Sequence, residues 1–268
     1  MKLFGIIGDP ISHSISPMIH NSLFKKYGLE AYYHPFHVKK ETLAETIHAM
    51  KLLNIAGFNV TVPHKERIIP YLDEIDDLAK MIGAVNTVKN ESGKLIGYNT
   101  DGIGFVESLK ELDNEFINKR IVIIGAGGAA RAIYFSLASA GVKCLDIANR
   151  TENNALKIIH AYPLNIETNC LTLNQLEQSL HHYDIIIQTT SVGMEPNDHQ
   201  SLIEFSKLQI NTLVIDIIYK PAVTKFLKNA EMNGARIDNG LTMLYNQAAY
   251  AFQIWTGIFP DVSKGITT

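Results

Sequence analysis

Residues 121–130 read IVIIGAGGAA, and this stretch decides the fold of the second half of the chain. Its four consecutive branched apolar residues are typical of a strand buried on both faces of a parallel sheet. A GxGxxA pattern and an apolar helix pattern over 131–140 follow, which is the strand–turn–helix order of dinucleotide-binding folds. Gly125 permits the tight turn, Gly127 lets the backbone approach a pyrophosphate, and Ala130 allows close packing of helix on sheet. The stretch therefore predicts a Rossmann-like, doubly wound domain.

The end of the next strand indicates which dinucleotide this domain binds. A strand predicted at 144–149 ends in Asn149-Arg150-Thr151, where an NAD site usually has an acid that binds the ribose 2′-hydroxyl. The guanidinium of Arg150 can hold a 2′-phosphate through forked, charge-assisted hydrogen bonds, and Asn149 and Thr151 can add neutral ones. Asp146 is a rival acid, but it lies within the strand. NADP is therefore favoured over NAD, the alternative being that Arg150 is an ordinary surface arginine.

Strand and helix patterns alternate along the whole chain, which predicts an α/β protein built on open sheets. Strands are expected at 3–8, 32–38, 57–62, 121–125, 144–149, 184–190 and 213–219, with helices between them.

Two segments predict where the domains divide. The glycine-rich segment 99–104 (NTDGIG) leads into a helix that Asp101 is well suited to cap. The last helix, 241–255, has an apolar stripe and must pack against a large partner surface, so we expect it to return to the first domain. The expected organisation is an N-terminal α/β substrate domain at 1–101 and 240–268, and an NADP-binding domain at 102–239.

Charge and composition argue against several classes of function. The 268 residues carry a formal net charge of −3, which gives no electrostatic reason to bind nucleic acid or an anionic membrane. No apolar run is long enough to span a bilayer, and the N-terminus turns polar at Asp9, too early for a signal peptide. The two cysteines lack CxxC spacing and the histidines form no HxxxH pattern, so no metal site is expected. We expect a cytoplasmic protein that acts on a small molecule as a monomer or homodimer.

Residues 57–65, GFNVTVPHK, contain a candidate proton donor. An alternating strand pattern places Phe58, Val60 and Val62 on one face and Asn59 and Thr61 on the other. Pro63 would stop this strand and begin a helix, with Lys65 in its opening turn. The partial positive charge of a helix N-terminus disfavours an ammonium, which would suit a lysine that exchanges a proton. The alternative is a surface lysine that extends away from the helix end.

A second polar motif occurs at residues 8–17, GDPISHSISP. Ser16 followed by Pro17 reads as an N-cap with proline at the first helical position of a helix over 18–27. The hydroxyls of Ser14 and Ser16 would then stand near free backbone donors, an arrangement that can hold a small carboxylate. Helix capping alone would explain Ser16 but would leave Ser14 without a role.

Taken together, these motifs resemble the shikimate dehydrogenase family. GDPISHSISP, GFNVTVPHK, GAVNT, GYNTDGIGF, GAGGAA, NRT and the final NGL…NQAA occur in the family's order from residue 3 to about residue 260. The resemblance implies a reversible, NADP-linked reduction of 3-dehydroshikimate to shikimate, a step in the synthesis of aromatic amino-acid precursors.

The resemblance also implies roles for individual residues. Lys65 would be the general acid in the reduction direction, and Asp101 would pair with Lys65 and orient it. The substrate ligands would be Ser14, Ser16, Asn59, Thr61, Asn86, Tyr219 and Gln247. The cofactor ligands would be Gly125, Ala126, Gly127, Gly128, Ala129, Asn149, Arg150, Thr151, Thr189, Ile217 and Gly240.

The chain departs from the family pattern at one position. Many NADP-specific members continue NRT with a second arginine three residues later, whereas this chain has Glu152-Asn153-Asn154. We therefore expect weaker binding of NADP, or less discrimination against NAD, than in relatives with two arginines. Two alternatives remain: an enzyme that also uses quinate, and a non-catalytic NADP-binding regulator, which would be expected to lack Lys65 or Asp101.

Overall fold

The computed structural model describes residues 1–161, 166–196 and 198–262, and the chain forms two compact units. Unit 1 comprises Met1–Gly104 and Tyr245–Thr268, and unit 2 comprises Phe105–Leu244. The domain limits expected from the sequence, 101/102 and 239/240, stay a proposal.

Unit 1 is built on a mixed sheet. Its strands are β1 (Lys2–Gly8), β2 (Ala31–His37), β3 (Gly57–Val60), β4 (Glu74–Ile75), β5 (Thr87–Glu91) and β6 (Lys94–Tyr98). They lie in the order β2–β1–β3–β5–β6–β4, with β5 antiparallel to both of its neighbours and the other pairs parallel. The helices around them are α1 (Ser16–Lys26), α2 (Leu43–Leu52) and α3 (Asp77–Ile82).

The hairpin of β5 and β6 was not predicted. Glu91 pairs with Lys94, so only Ser92 and Gly93 connect the two strands. Both connecting residues have positive φ angles, 53° and 92°, as in a type I′ two-residue hairpin turn. Ser-Gly between two strand-like runs was therefore a turn signal that the sequence analysis overlooked.

Unit 2 contains a parallel sheet. Its strands are β7 (Arg120–Ile124), β8 (Cys144–Ala148), β9 (Cys170–Leu171), β10 (Ile185–Gln188), β11 (Leu213–Asp216) and β12 (Arg236–Asn239). The order β9–β8–β7–β10–β11–β12 is the doubly wound arrangement of dinucleotide-binding domains. The helices are α5 (Gly128–Ser139), α6 (Glu152–Ala161), α7 (Leu173–Ser179) and α8 (Lys225–Met232).

Two further helices contain the points at which the chain passes from one unit to the other. They are α4 (Asp101–Leu112) and α9 (Leu241–Thr256). In the part of α9 that belongs to unit 1, the indole Nε1 of Trp255 donates to the carbonyl oxygen of Val88 at 2.9 Å. A Cβ at Gly57 would lie 2.4 Å from the same Nε1, so only glycine admits the indole here. The predicted α/β class, with a Rossmann-like domain and a returning C-terminal helix, is confirmed.

Three strands end two or three residues earlier than the sequence predicted. The expected strands 57–62, 184–190 and 213–219 end at Val60, Gln188 and Asp216. The β-branched residues beyond these ends look like strand, yet Val62 is 68% exposed, so the predicted alternation of faces stops at Val60. The residues that leave the sheet here include Thr61, Thr189 and Ile217, three of the predicted site residues.

Candidate active site

Lys65 and Asp101 form an ion pair in unit 1 although 36 residues separate them in the sequence. The Nζ of Lys65 lies 2.6 Å from Oδ2 of Asp101. The side chains are 23% and 11% exposed, so the pair is largely enclosed but can still be reached from solvent. A charge-assisted hydrogen bond of this length fixes the ammonium and leaves its other protons for a bound molecule.

The predicted helix at Pro63 does not form, so the helix-dipole argument for Lys65 is wrong. The backbone closes a turn instead, in which the amide of His64 donates to the carbonyl oxygen of Thr61 at 2.9 Å. The ring Nε2 of His64 donates to the carbonyl oxygen of Val38 at 2.6 Å, and His64 is fully buried. This long-range contact fixes the position of the turn. The charged group next to Lys65 is therefore the Asp101 carboxylate and not a helix N-terminus.

Asp101 is the first residue of α4. Its amide donates to Oδ1 of Asn99 at 3.1 Å, and its own Oδ1 accepts from Nδ2 of Asn86 at 2.9 Å. The partial positive charge of the helix N-terminus also favours an anion at this position. Both carboxylate oxygens of Asp101 are therefore engaged, one by Asn86 and one by Lys65.

Asn59 and Asn86, two of the predicted substrate ligands, are buried and bonded inside unit 1. They are 5% and 3% exposed. The Nδ2 of Asn59 donates to the carbonyl oxygen of Asn86 at 3.1 Å. The amide of Thr100 donates to Oδ1 of Asn86 at 2.8 Å. Gln247 of α9 joins the same group, because the Thr100 hydroxyl lies 3.5 Å from its Oε1.

The predicted carboxylate site at α1 differs in detail from the expectation. The helix begins at Ser16 and its N-cap is Ile15, which makes no side-chain capping bond. The hydroxyl of Ser14 accepts from the amide of Ser16 at 3.3 Å, so Ser14 and not Ser16 has a side-chain bond to the helix end. The prediction that Ser16 is the cap is wrong, because the helix starts one residue earlier than a Pro17 start would require.

Thr61 connects the two motifs of unit 1. Its amide donates to the carbonyl oxygen of Ile7 at 3.0 Å, and a Cβ at Gly8 would lie 2.5 Å from its Cγ2. One residue further on, the carbonyl oxygen of Val62 accepts from the amide of Asp9 at 3.0 Å. These contacts therefore hold the beginning of the segment that leads to Ser14 beside the beginning of the turn that carries Lys65.

In unit 2, the glycine-rich turn after β7 leaves room for a phosphate. Gly125 has φ +116°, and a Cβ there would lie 2.5 Å from Oγ1 of Thr189, so the turn and Thr189 are in contact. A Cβ at Gly127 or Gly128 would meet no atom within 4 Å. Gly127 is the N-cap of α5 and has no side chain to occupy the free amides of the helix. Open space in front of free amides is the geometry that a dinucleotide pyrophosphate requires.

The segment after β8 contains the residues that the sequence predicts to bind the 2′-phosphate. Arg150 and Thr151 are exposed, and Nδ2 of Asn149 donates to the carbonyl oxygen of Thr151 at 2.8 Å. Asp146, the rival acid, accepts from the amide of Asn169 at 2.7 Å and is buried within the sheet. Asp146 is thus occupied by internal bonds, and Arg150 is the charged group at the end of the strand.

Ile217 and Gly240, both predicted at the nicotinamide end, are in contact. A Cβ at Gly240 would lie 1.9 Å from the carbonyl oxygen of Ile217, an overlap that excludes every other residue type. Tyr219 is half-buried, and burial raises the pKa of its phenol, so at neutral pH it keeps the proton that it would donate to a carboxylate.

Sequence reasoning missed Asp216, the last residue of β11. Its Oδ1 accepts from the amide of Ile218 at 3.0 Å and from Nε2 of Gln188 at 3.2 Å, and its Oδ2 accepts from the hydroxyl of Thr224 at 2.7 Å. Burial raises the pKa of Asp216 to about 6, an effect that these hydrogen bonds only partly offset. An acid that ends an apolar strand run was the available signal. Asp216 links the segments that carry Thr189 and Ile217.

Within the described ranges 1–161, 166–196 and 198–262, no helix is both long and apolar enough to cross a bilayer. The same ranges contain no group of three or more histidine, cysteine or acidic side chains arranged to hold a metal ion.

Comparison with known proteins supplies independent findings. Three family models match in succession: the shikimate dehydrogenase substrate binding domain over residues 6–88, shikimate / quinate 5-dehydrogenase over 107–238, and the shikimate 5′-dehydrogenase C-terminal domain over 240–264. The shikimate dehydrogenase (NADP(+)) of a Bacillus cereus strain is 51% identical over 264 residues, which are 98% of this chain and 95% of that protein.

Solved structures agree with these matches. A crystal structure of a shikimate dehydrogenase in complex with NADP+ is 44% identical with a TM-score of 0.93, and the match covers 100% of this chain and 96% of the other. The shikimate 5-dehydrogenase of Listeria monocytogenes, crystallised with shikimate and NAD, is 36% identical with a TM-score of 0.91, with 98% and 94% covered.

Proposed function

This chain belongs to the shikimate dehydrogenase family, and on that premise we propose that it is an NADP-dependent shikimate dehydrogenase, which reversibly reduces 3-dehydroshikimate to shikimate. The observation that carries the proposal is the Lys65–Asp101 ion pair, a partly exposed ammonium held at 2.6 Å by a carboxylate. The open glycine turn after β7 supports it, since a hydride-transferring enzyme must bind its dinucleotide.

The proton transfer is assigned to Lys65. When bound, NADPH supplies the hydride that converts the ketone carbon of 3-dehydroshikimate to a carbinol carbon. Lys65 gives the proton that the developing alkoxide needs, becomes a neutral amine, and regains a proton from solvent, to which its side chain is 23% exposed. Asp101 holds the ammonium in position and does not exchange the proton itself. In the oxidation direction the same amine accepts the proton, and positioned acid–base catalysis of this kind contributes about 10²–10⁴-fold.

The carboxylate of the substrate is assigned to Ser14, Ser16 and Tyr219, and its ring hydroxyls to Thr61 and Gln247. The hydroxyls at the start of α1 and the protonated phenol of Tyr219 are neutral donors, which suits recognition of a carboxylate without an arginine. Asn59 and Asn86 stay in the proposed site, although their internal bonds favour a role in positioning.

The cofactor is assigned to the turn Gly125–Ala129 for the pyrophosphate, to Asn149, Arg150 and Thr151 for the 2′-phosphate, and to Thr189, Ile217 and Gly240 for the nicotinamide end. Glu152 opens α6 beside these residues and is exposed. Its charge repels a 2′-phosphate, so we propose a smaller preference for NADP over NAD than in relatives with a second arginine.

The experiment that tests the function is a nicotinamide absorbance assay with shikimate and NADP, with shikimate and NAD, and with quinate and NADP. We expect the highest kcat/KM for shikimate with NADP, and a loss of about 10²–10⁴ in kcat for Lys65→Ala with little change in KM. Failure of the unmodified protein to reduce NADP with shikimate would overturn the proposal. A loss of affinity alone in Lys65→Ala would make this residue a ligand and not the acid.

Quinate is the one alternative substrate that a specific observation favours, because the family model that matches residues 107–238 is named for both substrates. The assay with quinate tests this alternative, through the ratio of kcat/KM for quinate to kcat/KM for shikimate, both with NADP. A cytoplasmic location and a monomeric or homodimeric state remain proposals, and light scattering on the purified protein measures the second.

A further inference from the structure

Four buried neutral side chains form an unbroken row of hydrogen bonds that ends on the Asp101 carboxylate. Tyr33 Oη lies 2.7 Å from Oδ1 of Asn59, and Asn59 Nδ2 lies 3.0 Å from Oγ1 of Thr87. Thr87 Oγ1 lies 3.0 Å from Oδ1 of Asn86, and Asn86 Nδ2 lies 2.9 Å from Oδ1 of Asp101. None of the four is more than 5% exposed. We call Tyr33, Asn59, Thr87 and Asn86 the donor row.

Main-chain groups fix the direction of the bonds at the Asp101 end. The amide of Thr100 can only donate, and it lies 2.8 Å from Oδ1 of Asn86. This oxygen is therefore an acceptor, and the NH₂ group of the same side chain faces Asp101. The hydroxyl of Thr87 lies 3.0 Å from the same oxygen and 3.3 Å from Oγ1 of Thr100, and the shorter contact assigns its proton to Asn86.

A second main-chain group fixes the direction at the Tyr33 end. The carbonyl oxygen of Asn86 can only accept, and it lies 3.1 Å from Nδ2 of Asn59. The NH₂ group of Asn59 therefore faces Thr87, and its oxygen faces Tyr33. Because that oxygen can only accept, the phenol of Tyr33 donates. Burial raises the pKa of Tyr33 well above its usual value, so this proton stays in place.

Every bond of the donor row thus points the same way, with each proton donated towards Asp101. Aligned hydrogen bonds polarise one another, and their positive ends are directed at the carboxylate. A hydrogen bond to an ionised acceptor is also stronger than one between neutral groups. The row accordingly stabilises the negative charge of Asp101 and restricts its rotation, which aims its other oxygen at Lys65.

We propose that Tyr33 and Thr87 are positioning residues of the reaction, which act through Asn59 and Asn86 to hold the Asp101 carboxylate in the orientation that pairs with Lys65. This inference rests on the proposed function, because it assigns Lys65 as the group that transfers the proton. Neither residue needs to touch the substrate for this role. A row that only satisfied buried polar groups would affect stability but not the chemical step.

The test compares Thr87→Val, which keeps the shape and removes the hydroxyl, with Thr87→Ser, which keeps the hydroxyl. We expect kcat to fall about tenfold in Thr87→Val, the upper range for one neutral hydrogen bond, because Thr100 Oγ1 still lies 3.2 Å from Oδ1 of Asn86. The KM for shikimate should stay within about twofold, and Thr87→Ser should retain most of the activity. Tyr33→Phe, which keeps the packed ring, should lower kcat about threefold.

The decisive measurement repeats both substitutions in an Asp101→Ala background, where the row has no carboxylate to act on. There we expect Thr87→Val and Tyr33→Phe to cause no further loss of kcat, a non-additivity that general destabilisation would not produce. Thr212→Val, which removes another buried threonine hydroxyl in unit 2, serves as the matched control and should leave kcat unchanged.

Two outcomes would overturn the inference. One is an unchanged kcat in both Thr87→Val and Tyr33→Phe, and the other is an equal loss with and without Asp101. If Thr87→Val fails to fold, Tyr33→Phe decides alone through the same cycle. An unmodified protein that does not oxidise shikimate would instead refute the proposed function, so the two failures are distinguishable.

Discussion

In unit 1 the residues around Lys65 are bonded to one another, whereas in unit 2 the sheet end around Gly127 is left open. Asn59, Asn86 and Asp101 use their polar atoms on internal partners, and a Cβ at Gly127 would meet no atom within 4 Å. The two arrangements fit the two tasks proposed for them. A group that moves a proton must be aimed within a narrow range of angles before the substrate arrives, while a dinucleotide needs space and free amides.

The two units also differ in their buried titratable groups outside the proposed chemistry. Unit 1 encloses His20, whose pKa burial lowers to about 3, and unit 2 encloses Asp216, whose pKa burial raises to about 6. His20 becomes charged only in acid, whereas Asp216 becomes charged near neutrality. The stabilities of the two units should therefore respond to pH in opposite directions.

Among the tests of this contrast between the units, the largest expected effect comes from removing the carboxylate at the end of the donor row. Asp101→Ala leaves the Lys65 ammonium without its partner at 2.6 Å, and we expect kcat to fall about 10²–10³-fold. Binding of NADPH should not change, because the residues assigned to the cofactor lie in unit 2. Steady-state kinetics and a fluorescence titration with NADPH measure the two quantities. An equal loss of cofactor affinity would break the division of tasks between the units.

The next effect tests the open end of unit 2. In Gly240→Ala the new methyl group would overlap the carbonyl oxygen of Ile217, and we expect about a hundredfold weaker binding of NADPH together with a lower unfolding temperature. Gly127→Ala is the matched variant, since its methyl group would enter empty space. It should weaken cofactor binding by filling the phosphate site while leaving the unfolding temperature near that of the parent. Equal unfolding temperatures in both variants would contradict the overlap.

The sequence predicted unit 2 better than unit 1, for a physical reason. The Rossmann-like half is specified by local chemistry, a buried apolar strand followed by glycines that a phosphate turn requires. The turn around Lys65 is specified by distant contacts instead, above all the bond from His64 to the carbonyl oxygen of Val38. No periodicity in 57–65 reports such a contact, so the helix predicted at Pro63 was wrong although Lys65 and its pairing with Asp101 were named.

Buried polar residues form the second class that sequence reasoning missed. Tyr33 and Thr87 are ordinary strand-forming residues of β2 and β5, and Asp216 ends β11, so their residue types gave no signal of a site. Their roles follow from partners contributed by other strands, and strand pairing cannot be read from one sequence. Asn59 and Asn86 were named through the family resemblance, whereas their internal bonds became visible only in the fold.

Asp216 gives the first test of the opposite pH responses. Its pKa is about 6 in the folded protein against 3.8 for a free side chain, so the folded state binds more protons between these limits. The contribution of Asp216 to stability is complete below pH 3.8 and is lost as pH rises through 6. Between pH 4 and pH 7, the unfolding free energy of the unmodified protein should fall by about 2.5 kcal/mol more than that of Asp216→Asn.

Urea unfolding at a series of pH values measures this difference. Thr224→Val is the control, because it removes a hydrogen bond to the carboxylate but retains the titrating group. That variant should show a pH dependence at least as large as that of the parent, because the lost hydrogen bond is one that lowers the pKa of Asp216. A difference between the parent and Asp216→Asn that stays constant with pH would show that the carboxyl of Asp216 does not titrate in this range.

His20 gives the opposite and smaller response. Its ring is fully buried and stacked on Tyr33 at 4.5 Å between centroids, and burial is the largest influence on its pKa. The pKa is about 3 in the folded protein against 6.5 for a free side chain, so the unfolded state binds more protons below pH 6.5. The contribution of His20 to stability is therefore complete above pH 6.5 and declines as pH falls towards 3.

The control is His20→Phe, which keeps the stacked ring. Between pH 7 and pH 5, the unfolding free energy of the unmodified protein should fall by about 2 kcal/mol more than that of His20→Phe. Unfolding curves in which both proteins lose the same stability over this interval would place the imidazole in contact with water and remove the contrast between the two units.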